Sequence, residues 1–175
     1  MSDVKQTEVQ QRQQAQTEAK QLLTVHRVYA KAIGLETIQM NLEMPSDQKK
    51  MNLEMQVHVA SNAREKDLHE AVLSLTLTSK HDTNLLWRLQ LQQAGLFTIR
   101  GFEKEQLDNI LNVFCMNVIY PYACSMIYQV ILQAGFQLNH LVPMNFEAFY
   151  QERQKQAKEG KGTEKQSVQD DTTIN

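Results

Sequence analysis

Cysteine is scarce in this sequence. The 175 residues contain only Cys115 and Cys124, both set among apolar neighbours, without CxxC spacing and without a nearby histidine pair. That argues against a disulfide framework or a zinc site and fits reduced, buried thiols of a cytosolic protein. An excess of one charge is missing as well. Eighteen Lys and Arg against 20 Asp and Glu leave a formal net charge of −2, too near neutral for a nucleic-acid binder or a ligand of acidic lipids. The N-terminus, MSDVKQTEVQQRQQAQTEAK, has neither a basic n-region nor an apolar h-region, so no secretory signal is expected. An unbroken hydrophobic run is lacking too. The most apolar stretch, NVIYPYACSMIYQVILQAGF at 117–136, is interrupted by Asn117, Pro121, Ser125, Gln129 and Gln133. A membrane span needs about 20 mostly apolar residues in a row, so no membrane insertion is expected.

Catalytic motifs are absent in turn. The histidines (His26, His58, His69, His81 and His140) form no HExxH, and there is no GxSxG elbow, P-loop or GxGxxG. No catalytic residue, metal or cofactor is expected. A small α+β enzyme of the hot-dog type would need an acidic residue or histidine at a helix start inside an apolar tunnel. The best candidates, Glu103 and Glu105, read as solvent-facing. Aromatics are missing from both ends. Residues 1–21 hold seven glutamines and no aromatic residue, and 154–175 are equally devoid of aromatics. Such segments cannot bury enough apolar surface to offset their ordering entropy. The expectation is a disordered Gln-rich arm at 1–21, a folded domain at 22–153 and a flexible C-terminal tail at 154–175.

What is present has two periods. In MNLEMQVHV, Met51, Leu53, Met55, Val57 and Val59 alternate with polar residues, including an outward His58. In AVLSLTLTS, Ala71, Leu73, Leu75 and Leu77 share a face; in LWRLQLQQAGLFTI, Trp87, Leu89 and Leu91 do. LLTVHRVYAKAIGLE is extended in character, with Tyr29, Ile33 and Leu35 on one side. This is the pattern of four half-buried strands. Their connections, SNAREKDLHE and KHDTN, are short and polar, as antiparallel hairpins require. Gly95 marks a bulge or bend. After Gly101 the period changes. Leu107, Ile110, Leu111 and Phe114 describe an amphipathic helix over 103–115. A second helix starts around Pro121, in a first-turn position, with Ala123, Met126, Ile127, Val130, Ile131 and Ala134 as its stripe and Gly135 as its end. A last short helix follows Asn145 as N-cap. The class is α+β.

Two surpluses ask for a purpose. The pentapeptide MNLEM occurs at 40–44 and again at 51–55, so four of the eight methionines fall within sixteen residues. Either this is a small local duplication with core methionines, or a Met-lined surface able to fit many partners. Tyr120, Tyr122, Tyr128, Phe136, Phe146, Phe149 and Tyr150 exceed what a small core needs, and some can line a groove or subunit interface.

"QQAGLFTIRG", "YPYA" and "VPMNFEAFY", in that order, together with "HRVYAKAIGLE", resemble the SecB export chaperones over residues 22–153. The resemblance implies a bacterial cytoplasmic, ATP-independent chaperone without cofactor or metal. Its fold would be a four-stranded antiparallel sheet with helices packed on one face, assembled as a dimer of dimers. Its clients would be unfolded preproteins, passed to the translocase ATPase SecA. By matching position, the client groove would include Leu53, Met55, Trp87, Leu91, Ile110, Tyr122 and Phe149. The only tryptophan, Trp87, is equally compatible with an ordinary core position. The homotetramer interface would involve Leu89, Leu91 and Gln93 on a strand and Leu107, Ile110, Leu111 and Phe114 on the helix 103–115. Of the family's acidic SecA-contacting positions, Glu36 is kept, while Ala32 and Gln90 stand at two others. A SecB-like chaperone of another pathway, such as a toxin–antitoxin module, is the alternative within the family; an adaptor with one fixed partner is the alternative outside it.

Overall fold

The computed structural model describes residues 21–37, 51–82, 84–138, 141 and 143–163. The chain forms two compact units, one ending at Leu141 and the other beginning at Val142. The first copy of MNLEM, most of the Gln-rich arm and residues 164–175 lie outside the described residues.

Four strands build the first unit: β1 (Leu22–Thr37), β2 (Met51–Glu65), β3 (Leu68–His81) and β4 (Asn84–Arg100). All pairings are antiparallel, and the strand order is β1-β4-β3-β2. The expected alternation holds on β3 and β4. Ala71, Leu73, Leu75, Leu77, Trp87, Leu89 and Leu91 are all buried on one face, where the register sets them side by side. The hairpins are tighter than SNAREKDLHE and KHDTN suggest. Strand pairing continues to Glu65↔Leu68 and to His81↔Asn84, so most of those residues belong to the ladder. Asp67 (φ 65°) and Asp82 (φ 54°) turn the chain, using the tolerance of aspartate for left-handed backbone.

Gly95 is not a bulge. It pairs in register with Ala71 on β3, and it is a point of close approach. A Cβ there would lie 2.5 Å from Phe97 Cε2 and 3.3 Å from Ile119 Cδ1, so the Phe97 ring folds over the bare backbone of its same-face neighbour. The irregularities sit on β1 instead, between Val25 and Arg27 and between Ala30 and Ala32. The second inserts Lys31 and inverts the faces around it. Tyr29, paired with Ala94, therefore faces away from Ile33 and Leu35, which pair with Leu91 and Leu89.

One helix, α1 (Lys104–Gln133, 30 residues), follows, where two were expected. It is α-helical over Lys104–Asn109, widens to a π turn over Ile110–Phe114 and is α-helical again over Cys115–Gln133. At its start the Glu103 backbone N–H donates to Gln106 Oε1 at 3.2 Å. Pro121 lies inside the helix and starts nothing. Proline removes the hydrogen bond to residue i−4, here the Asn117 carbonyl. Both residues are exposed, so water can meet the freed oxygen. Gly135 (φ 81°) ends α1 as expected. Its N–H reaches the Leu132 carbonyl at 3.0 Å, and the Phe136 N–H reaches the Ile131 carbonyl at 3.1 Å, which together make a Schellman cap.

The helix is long and apolar enough to cross a membrane by length and composition alone. That apolar face is used internally. Cys115, Ile119, Ala123, Ile127 and Ile131, four residues apart, are wholly buried where α1 packs against β4, β3 and β1. A run at every fourth residue drifts round the helix, which suits a straight helix crossing a twisted sheet.

The second unit contains α2 (Phe146–Thr163). Asn145 caps it: its Oδ1 accepts from the Ala148 N–H at 3.0 Å. The helix runs past residue 153, where the aromatic-poor composition suggests a flexible tail. The residues QERQKQA favour helix, and Gln151 donates to Glu147 at 3.0 Å one turn back.

Candidate functional site

A helix with side chains is about 10 Å wide, and strands lie about 4.8 Å apart, so a single helix covers about two strands. α1 lies over the middle of the sheet, and the helix-side rows of the outer strands remain open. On β1 the open row includes Val25 (42% exposed) and Ile33 (43%); on β2 it includes Leu53 (37%), with Met55 and Val57 half-buried. The outward side of α1 adds Phe114 (41%), Tyr122 (56%) and Leu132 (62%). Among the described residues β1 and β2 each pair with only one other strand, so each keeps one backbone edge open beside its apolar row.

The residues singled out in the sequence fall into three places. Leu53 and Met55 line the open β2 row, and Trp87 and Leu91 lie inward of it, fully buried. Trp87 packs on Phe136 with ring centroids 6.2 Å apart, and its indole N–H has no partner among the described residues. Ile110 is elsewhere. With Gln21, Phe102, Glu105, Gln106 and Asn109 it lines an open cavity of about 440 Å³ where β1 begins and β4 ends. Trp87 and Arg100 stand at opposite ends of β4, roughly 40 Å apart at about 3.3 Å per residue, so these residues do not converge on one cluster. Tyr122 stands exposed on α1. Phe149 belongs to the second unit, where the Arg153 guanidinium lies 5.9 Å from its ring centre.

Of the expected interface residues, Leu89, Leu91, Gln93 and Leu111 are buried within this chain, Leu107 and Ile110 are half-buried, and Phe114 is exposed. The open apolar residues of β1, Val25 and Ile33, were not among the sequence candidates. Their alternation carries the signal, but which rows a helix covers is decided by tertiary packing.

The opposite face of the sheet is polar and holds a feature that no motif announces. Glu70 is 2% exposed, and its carboxylate accepts from the Tyr29 hydroxyl, from Arg64 Nη2 at 2.6 Å and from Lys31 Nζ at 3.1 Å. The tyrosine hydrogen bond, aided by the two cations, holds its pKa down at about 2, against the opposing effect of burial. The same bond raises the pKa of Tyr29, which keeps its proton. Glu36 lies farther along this face with Arg88 as its cross-strand partner; Ala32 pairs with Gln92, and Gln90 with Gly34. Burial pushes the Cys115 thiol up to about 12 and raises Cys124 as well, so neither is a reactive thiolate. Among the described residues no group of His, Cys, Asp and Glu could hold a metal ion.

An apolar surface bounded by free strand edges, with no convergent polar groups, suits the capture of extended polypeptide. Residues 15–157 match the family described as preprotein translocase subunit SecB. The chain belongs to the SecB family. A protein-export protein SecB of Cupriavidus pinatubonensis is 36% identical over 152 residues, 84% of this chain and 85% of that protein. The SecB of Ralstonia pickettii is 34% identical over 158 residues, covering 87% of this chain and 88% of its own length. Among solved structures, a SecB-like chaperone of Mycobacterium tuberculosis, in complex with a ChAD peptide from an antitoxin, superposes with a TM-score of 0.57. It is 14% identical and covers 70% of this chain and 93% of its own, a likeness of fold. SecB proteins are protein-export chaperones and not enzymes, and the α+β architecture of an antiparallel sheet carrying a long helix is theirs.

Proposed function

We propose that this SecB chain holds unfolded preproteins along the open β2 row, as a homotetramer in the bacterial cytoplasm, and delivers them to SecA. The carrying observation is the exposed Leu53 beside half-buried Met55 on a strand with a free edge. Leu53, Met55 and Tyr122 touch the client; Trp87 and Leu91 form the floor behind them. The cavity at Ile110 accepts a further client side chain, and Phe149, in the second unit, is a separate client contact. Methionine and leucine make an adaptable row, and the free strand edge offers hydrogen bonds that any extended sequence can use. Phe114 and the open β1 row are the surfaces available to other copies of the chain, with the buried Leu89, Leu91, Gln93, Leu107, Ile110 and Leu111 supporting them from within. Glu36 is the SecA contact, tempered by Arg88 across the strand.

A refolding assay tests this reading. A slow-folding preprotein mixed with the chaperone should stay unfolded without ATP and be released on addition of SecA. Native mass spectrometry should give four chains of 20.2 kDa each. Refolding at the spontaneous rate in the presence of excess chaperone would remove the proposal.

A further inference from the structure

The polar face of the sheet carries an uneven charge. At one end Lys31 and Arg64 hold the Glu70 carboxylate, Arg27 stands beside Tyr29, and the register sets Glu65 and Arg100 on the same face. That carboxylate is buried and fully engaged, with Tyr29 on one oxygen and Lys31 and Arg64 on the other. The cations are not buried with it: the Lys31 and Arg64 side chains are 38% and 51% exposed. Arg27 holds its guanidinium 5.0 Å from the centre of the Tyr29 ring and has no ion pair among the described residues. Two of these cations project from stretches where the register shifts, Lys31 between Ala30 and Ala32 and Arg64 between Ala63 and Glu65. Bulges of this kind re-aim side chains and are common at functional edges. Farther along this face Glu54 pairs with Lys80 at 2.9 Å and Glu36 lies opposite Arg88.

We propose that the Arg27–Lys31–Arg64 end of the polar face is a docking site for an acidic segment of a partner protein, one rich in aspartate and glutamate. Glu70 serves as a buried anchor that fixes Lys31 and Arg64 in place, so less side-chain entropy is lost when an external carboxylate arrives. Arg27, braced on the tyrosine ring and without an ion pair among the described residues, can receive a bidentate carboxylate. A protein segment fits better than a nucleic acid because the chain as a whole carries a net charge of −2, which repels a long polyanion while a small cationic site still attracts a short one. The site lies on the face opposite the client rows, so both can be occupied at once.

The test uses the full-length protein and a dye-labelled oligoglutamate peptide, followed by fluorescence anisotropy at low and at physiological salt. Oligolysine and a single-stranded oligonucleotide are the other probes. Oligoglutamate should bind, and its affinity should fall with salt, since exposed charges are screened beyond about 10 Å at 0.1 M ionic strength. The double variant Arg27→Gln, Lys31→Gln should weaken it by about fivefold, the effect of losing two rim ion pairs. Arg27→Gln alone leaves every Glu70 contact intact and should account for part of that loss. Carbodiimide coupling should join the peptide to Lys31, located by mass spectrometry. Absence of oligoglutamate binding, binding unchanged in both variants, cross-links confined to other lysines, or tighter binding of the oligonucleotide through these same residues would each overturn the proposal.

Discussion

Glu70 shows how much one residue can hide. In the stretch LHEAV it reads as one polar residue of a strand, yet its carboxylate is almost wholly buried beneath Tyr29, Lys31 and Arg64. Its pKa in the fold, about 2, lies below the ordinary value of 4.5. A depressed carboxylate stabilises the fold above its unfolded pKa and loses that contribution as pH falls through the folded one. Stability should therefore be flat from neutrality down to about pH 4.5 and then fall toward pH 2, with Glu70 contributing on the order of 2 kcal/mol once the exposure of its partners is discounted. Glu70→Gln should remove that part of the slope in urea titrations at graded pH; an unchanged slope would mean that the acid transition belongs to other groups. Gly95 allows a second test at this scale. The Phe97 ring is fully buried and cannot swing away from a new methyl group. Gly95→Ala should cost roughly 1–3 kcal/mol by overpacking, although alanine suits a strand at least as well as glycine. Neither residue is readable from its neighbours in sequence, because a salt-bridged carboxylate and a ring folded over glycine both depend on strands joined by register.

Elements were legible where one period ran undisturbed. The alternation of β3 and β4 fixes their buried faces, and the Gly135 cap fixes the end of α1. The expectation failed where a local rule met a tertiary remedy. Tyr29, Ile33 and Leu35 have odd numbers and should share a face, but Lys31 inserts between two paired residues with no glycine or proline to announce it. Pro121 reads as a helix start, and the helix runs through it because Asn117 and Pro121 face solvent. The proposed client row follows from coverage, since a single helix leaves β2 partly open while Trp87 lies beneath. Leu53→Asp should therefore abolish most client holding with little loss of stability, as Leu53 is already 37% exposed. Trp87, 1% exposed and packed on Phe136, should emit as a buried indole and keep that emission when a client binds. Undiminished holding by Leu53→Asp would move the site away from the β2 row, and a marked emission shift on client binding would make Trp87 itself a client contact.

At the scale of the whole molecule the unresolved quantity is apolar surface. Within the first unit the helix-side row of β1 leaves Val25 and Ile33 about two-fifths exposed, and α1 adds Phe114. Contiguous apolar rows of this kind on a protein surface mark contact with something else. A client row must release what it binds, so it does well to stay adaptable; the β2 row, with methionine, fits that description. The β1 row is built of branched valine and isoleucine, which are stiff and better suited to a permanent fit. Branched side chains beside a free strand edge favour a second copy of the chain, and burying such a row removes an edge that would otherwise invite aggregation. The double substitution Val25→Glu, Ile33→Glu should therefore shift the assembly toward smaller species in native mass spectrometry. The intrachain fold should remain, because both residues are exposed within the chain and the core under α1 is untouched. Client holding should weaken in proportion to disassembly, since a long unfolded client engages several copies at once and loses that avidity when they separate. An assembly of unchanged mass in this variant would place the subunit contact on Phe114 and the outward side of α1 instead, and Phe114→Glu would then be the substitution that dissociates it.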